Sequence, residues 1–290
     1  MINRKGKSFY FCWFFFITFV IFLYGPTFTI VLLSFQGPEG GLTFPMNGFS
    51  FHWFEKLWEG GGYVDIGSAF RRSILLGIIL MILTVILSVS TGMAFRKKFL
   101  GSNFLFFLTI SSLIVPSIIL SLGVALEFRL IDETIKFIGN KYNIDWIIND
   151  FQTTLNMFSS GLGAQLTWTL PFGLLIMFAI FNRFDKSYEE ASKDLGATSW
   201  QTFKYIVLPI IAPSVIGIAL FGFTLSYDEL ARSSQVMGAT NTLPLELKGL
   251  TTTVTTPVIY ALGTLTTGIS FLVIFIAICS FFIIKRKKIK

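Results

Sequence analysis

Charge is what this 290-residue sequence is shortest of: 13% of its residues are Asp, Glu, Lys or Arg, against about 25% in soluble domains. Together with a mean hydropathy of +0.71, that scarcity excludes an ordinary water-soluble enzyme. Histidine occurs once, at His52, and cysteine twice, at Cys12 and Cys279 inside apolar runs. Neither a zinc cluster nor a disulfide framework can be assembled from so few ligands. No Gly-x-x-x-x-Gly-Lys-Ser/Thr loop is present to cradle phosphates, and no Gly-x-Ser-x-Gly elbow or His-Glu-x-x-His pair to support hydrolysis. The expectation is a protein without a cofactor, a catalytic site or its own ATP site. No basic stripe interleaved with aromatics suggests nucleic acid as a partner.

What is abundant is apolar: 53% of residues, with 34 Phe, gathered into long blocks between short charged islands. About 20 mostly apolar residues cross the hydrocarbon of a bilayer as a helix. Six stretches meet that length, near Phe9 to Phe35, Ser73 to Phe95, Phe104 to Leu126, Gly163 to Phe181, Ile206 to Ser226 and Val258 to Ile284. The expected fold is all-α, a polytopic membrane protein with six transmembrane helices. Arg4, Lys5 and Lys7 precede the first stretch as in a signal peptide, but the apolar run continues past Pro26 without a small-x-small cleavage site, so it reads as an uncleaved span.

Basic residues accumulate in cytoplasmic loops, and here their distribution is lopsided. The N-terminal tail, the Arg96 to Lys98 turn, the Arg183 to Lys204 loop and the tail from Lys285 hold 15 of the 23 basic and 4 of the 16 acidic residues, a net +11, while the other side nets −4. Both termini are therefore expected in the cytoplasm. Membrane orientation accounts for the isoelectric point near 9.4. Two outer loops are long. Gln36 to Arg72 contains Phe51, Trp53, Phe54, Leu57 and Trp58 at the spacing of a short interfacial helix, and Glu127 to Leu162 has room for one or two short helices.

The most specific pattern lies in the loop between the fourth and fifth spans, which reads as helix, break, helix. Asp185 or Ser187 suits the start, Glu189 and Glu190 favour the positive end of the helix dipole, and Gly196 ends the helix at a position tolerant of positive φ. Thr198 or Ser199 can cap a second helix, and Pro209 fits an early position of the fifth span. Without fixed spacing such a stretch would be a solvated amphipathic hairpin. The spacing is fixed: Glu190-Ala191-Ser192, three residues, Gly196, nine residues, then Ile206-Val207-Leu208-Pro209.

That motif resembles the membrane-spanning subunits of binding-protein-dependent ABC importers, with Ser192 where the family pattern has Ala. The resemblance implies a type I ABC importer permease fold, one permease domain over residues 1–290 with a coupling loop at 182–209. It also implies two ATP-binding subunits, a second permease subunit and an extracytoplasmic binding protein as partners. Glu190, Ala191, Ser192 and Gly196 become docking and turn positions, and Leu208 and Pro209 the return into the bilayer. Phe223 to Leu230 and Leu243 to Leu247 further resemble the second permease of spermidine/putrescine importers, which implies a small organic cation as cargo. The loop from Glu127 to Leu162 is longer than that resemblance expects. Tyr227, Asp228, Glu229 and Trp168 are then candidates for the substrate path, the carboxylates attracting a cation and the rings adding cation–π contacts. Ser226-Tyr227-Asp228-Glu229 equally fits a capping box. The alternatives are a permease for another small solute and an ion-coupled secondary transporter. The second would need intramembrane charges, and the spans are nearly free of them.

Overall fold

The computed structural model describes residues 7–59, 66–97, 99–253 and 256–287. The expected charges at Arg4, Lys5, Lys98, Lys288 and Lys290 lie outside them. Among the described residues the structure is helical, without a named strand: α1 (Lys7–Leu33), α2 (His52–Trp58), α3 (Ile66–Phe95), α4 (Ser102–Ser111), α5 (Ser117–Tyr142), α6 (Asp145–Asn149), α7 (Leu162–Asn182), α8 (Ser187–Asp194), α9 (Ser199–Thr202), α10 (Leu208–Tyr227), α11 (Leu243–Thr253) and α12 (Val258–Lys287). Single π-helical turns, Met157–Gly161 and Phe203–Val207, lead into α7 and α10. The second joins α9 to α10 as one run, Ser199–Tyr227, so the helix of the expected fifth span begins inside the preceding loop, ahead of the expected Ile206.

Five helices among the described residues are long and apolar enough to cross a membrane: Ser8–Leu33, Ile66–Phe95, Met157–Asn182, Ser199–Tyr227 and Val258–Ile276. The expected third span, Phe104 to Leu126, is instead divided between α4 and α5. Pro116 is the reason. It has no N–H to donate, its ring disfavours helical backbone at Val115, and it stands at ψ 129 as the residue before α5. From Ser117 the helix then runs on to Tyr142, taking up much of the expected outer loop, and stops at Asn143 in the left-handed region. The rest of that loop is pinned by the buried Asp132, whose carboxylate accepts from the Thr153 and Thr154 hydroxyls and the Thr154 N–H.

The chain forms two compact units. One comprises Met1–Gly67 and Leu247–Leu272, the other Ser68–Glu246 and Val273–Lys290. In the first, α2 appears where the aromatic spacing expects it, burying Trp53 and Leu57. Gln36, fully buried, organises the turn before it by accepting from the Asn47 N–H (2.8 Å) and donating to the Gly41 carbonyl (3.1 Å). Helix α1 leaves Phe11, Phe15 and Phe22 exposed, as a helix facing lipid does.

In the second unit α7 packs along α10, with Met177, Phe181, Val207, Ile211 and Ile218 buried together with Val89 of α3. Without a hydrophobic drive in lipid, such helices associate through close backbone approach and interhelical hydrogen bonds. Both occur here. Thr84 of α3 and Thr169 of α7 share a 2.7 Å hydrogen bond, and a Cβ added at Gly173 would lie 2.0 Å from Ser88 Oγ.

Candidate functional site

The loop at 182–209 folds as helix, break and helix, with Lys186 at the cap position of α8 in place of the expected Asp185 or Ser187 and no side-chain cap hydrogen bond from it. Asp185 accepts from the Ser187 N–H (2.9 Å) as α8 begins. The helix ends at Gly196, which adopts φ +82, and the Ala197 N–H closes the turn on the Ser192 carbonyl (3.0 Å). Thr198, not Ser199, caps α9, in a capping box with Gln201. Glu190, Ala191 and Gly196 are exposed on this turn. Ser192 instead faces inward, its hydroxyl within 2.8 Å of that of the buried Thr202, which ties α8 to α9. A buried polar pair at that position explains why Ser is accommodated where the family pattern has Ala. Leu208 and Pro209 sit at the first turn of α10. Leu195 and Trp200 flank the turn, 89% and 68% exposed.

Arg96, one residue beyond α3, was not singled out by its sequence context. Its guanidinium donates Nη1 to Glu189 Oε1 (2.6 Å) and Nη2 to Oε2 (2.8 Å), and lies 5.0 Å from the ring centres of both Phe181 and Phe184. Those hydrogen bonds hold the Glu189 carboxyl below its usual value, against the opposing effect of its partial burial.

The expected substrate-path residues are placed unequally. Trp168 and Glu229 are brought to one residue, Arg232. Its guanidinium stands 4.7 Å from the Trp168 ring centre, and its backbone N–H donates to Glu229 (2.8 Å). The face of Trp168 expected to meet a cargo ammonium is thus covered by a cation of the chain itself. Tyr227 is buried and stacked on Phe223, and its hydroxyl has no hydrogen-bond partner among the described residues. Asp228 is exposed just beyond α10. The capping-box alternative does not form. Ser226 lies in the last turn of α10 instead of opening a helix, and its hydroxyl donates to Gln165 (2.6 Å).

Arg232 and Gln165 are polar residues of this region that no local sequence motif marks. Arg232 is completely buried, yet no carboxylate pairs with its guanidinium among the described residues. It donates instead to Thr167 Oγ1, to Ser117 Oγ (3.2 Å) and to the Ser112 carbonyl (3.0 Å). Ser112 and Ser117 bracket the break between α4 and α5, so this side chain satisfies backbone that the break leaves without a helical partner. Gln165 donates to Ser233 (2.8 Å) while accepting from Ser226. The available signal was a basic residue three positions after Glu229 on the side of the chain where basic residues are few.

Residues 85–287 match the family described as "Binding-protein-dependent transport system inner membrane component". The spermidine/putrescine transport system permease protein PotC of Haemophilus influenzae is 28% identical, over 84% of this chain and 86% of its own length. The putrescine transport system permease protein PotI of Escherichia coli K12 is 29% identical, over 88% and 85%. PotC of the same strain is 24% identical, over 84% and 83%.

Proposed function

The chain belongs to the family of binding-protein-dependent transport system inner membrane components, as a multi-pass inner-membrane permease of the ABC importer class and not an enzyme, and from that premise we propose that it imports a polyamine-like cation using ATP hydrolysed on partner subunits. The partners are two ATP-binding subunits, a second permease subunit and an extracytoplasmic binding protein that delivers cargo. Residues 1–290 act as one permease domain, with both termini cytoplasmic and the divided α4–α5 segment making the sixth crossing. The path alternates between outward and inward access as the ATPase pair closes and resets.

The observation that carries this reading is the loop at 182–209. Gly196 at φ +82 turns the chain so that Glu190 and Ala191 remain exposed, available to a groove on an ATP-binding subunit, while Ser192 anchors the helix from behind. For the cargo, the support is the relatives' polyamine substrates and the carboxylates of Asp228 and Glu229 after α10. In a partly desolvated mouth they attract a cation more strongly than bulk water would allow. With Trp168 covered by Arg232, the attraction rests on the carboxylates.

Uptake by the assembled importer tests both parts. The Asp228→Asn, Glu229→Gln double variant should assemble normally and lose polyamine uptake at least about tenfold, the scale of one charge-assisted hydrogen bond. Wild-type uptake, or a cognate binding protein that prefers anions, would remove the polyamine assignment and favour a different small solute.

A further inference from the structure

We propose that Arg96 and Glu189 form the clamp that makes the coupling helix α8 move as one body with the cytoplasmic ends of α3 and α7; the proposal rests on the reading of residues 182–209 as the coupling loop.

The chain on either side of α8 is a poor lever. Residues 183–186 precede it outside regular helix, and it ends at the left-handed turn of Gly196. The Ser192–Thr202 bond ties it forward to α9. A push received by the exposed face of α8 would therefore bend these connections unless a side chain holds the helix to the spans. Arg96 is placed to do so. It follows Phe95, the last residue of α3, and makes both hydrogen bonds that a planar guanidinium can make to one carboxylate. Its guanidinium carbon also lies 5.0 Å from the ring centres of Phe181, near the end of α7, and Phe184, in the connection to α8.

One side chain thus fixes the ends of two spans and the first turn of the coupling helix. The side chains of Arg96 and Glu189 are 13% and 19% exposed, so water competes for the pair less than at an open surface. Exposed ion pairs contribute little, whereas bidentate, shielded pairs resist both bending and separation. Lysine would not replace Arg96, because an ammonium offers neither the fork nor the stacking plane. Beside the pair lies a cavity of about 330 Å³ lined by Lys186, Glu190, Lys193 and Phe203 among others. This void gives α8 room to swing when the clamp is cut. Neither residue touches cargo or nucleotide in this account; both are positioning residues.

The test uses the complete importer in proteoliposomes, reading uptake and ATP hydrolysis together. Arg96→Ala and Glu189→Gln should leave assembly and basal ATPase activity unchanged but reduce cargo moved per ATP by about tenfold. Arg96→Lys should fall between them and the wild type. The exchanged double variant, Arg96→Glu with Glu189→Arg, should recover part of the loss, since the ion pair returns without its aromatic contacts. A merely structural role predicts lost assembly without a changed stoichiometry and no recovery on exchange. Should Arg96→Ala fail to assemble, the near-isosteric Glu189→Gln decides the matter. Wild-type stoichiometry in Glu189→Gln, or an exchange variant no better than the single variants, overturns the clamp. Gly196→Val in the same membranes separates the two claims: if it uncouples while the Arg96 and Glu189 variants do not, only the clamp falls, and if none uncouples, the coupling-loop reading falls too.

Discussion

At the scale of the residue, Gly196 and Arg232 carry consequences of different kinds. A Cβ at Gly196 would meet open space, so the objection to a larger residue is its backbone angle and not crowding. Left-handed backbone costs an L-residue about 1–2 kcal/mol, and Asn is the side chain that tolerates it best. Gly196→Asn should therefore keep most of the cargo-stimulated ATPase activity of the assembled importer, and Gly196→Val should lose most of it. Equal activity in the two variants would show that the turn does not matter. Arg232 supports the break between α4 and α5, and Arg232→Met would leave partly buried oxygens of Ser112, Ser117 and Thr167 without that donor. Loss of such a network should lower stability by about 2–4 kcal/mol, read as a fall in the Tm of the purified protein in detergent. Gly196 was legible because its role is local: a helix of eight residues had to end there. Arg232 was not, because its acceptors lie 65 to 120 residues away in sequence and no local pattern announces them.

At the scale of the element, helices are legible where hydrophobicity and caps agree. The run from the Thr198 cap into the apolar α10 satisfies both tests, whereas α8 is polar and lacks its expected side-chain cap. The third apolar stretch satisfies only the first, since Pro116 sits inside it and divides it. Helix pairing is a separate matter that composition leaves open. The contact of α3 with α7 depends on Gly173 lying against Ser88 and on the Thr84–Thr169 bond. Gly173→Val should force the two helices apart and destabilise the protein by about 1–3 kcal/mol, the usual cost of overpacking. The same substitution at Gly163, where an added Cβ meets nothing within 4 Å, is the control for side-chain bulk alone. Similar Tm losses at both positions would remove the close approach as the cause.

At the scale of the whole molecule, the charge distribution, the apolar helices and the loop motif converge on a polytopic permease. Single cysteines placed at Lys193, and separately at Glu59 and Asn149, should label only from the cytoplasm and only from outside, respectively. Labelling of Asn149 from the cytoplasm would mean that α4 and α5 do not make the sixth crossing. The claim on which all else depends is that transport draws on ATP through the cytoplasmic loop. Its most direct measurement is uptake of radiolabelled spermidine by proteoliposomes holding the complete importer and supplied with its loaded binding protein. The account predicts uptake that requires ATP inside the vesicle, persists when ionophores collapse every ion gradient, and disappears in Gly196→Val. Uptake that follows an imposed ion gradient without ATP would contradict it.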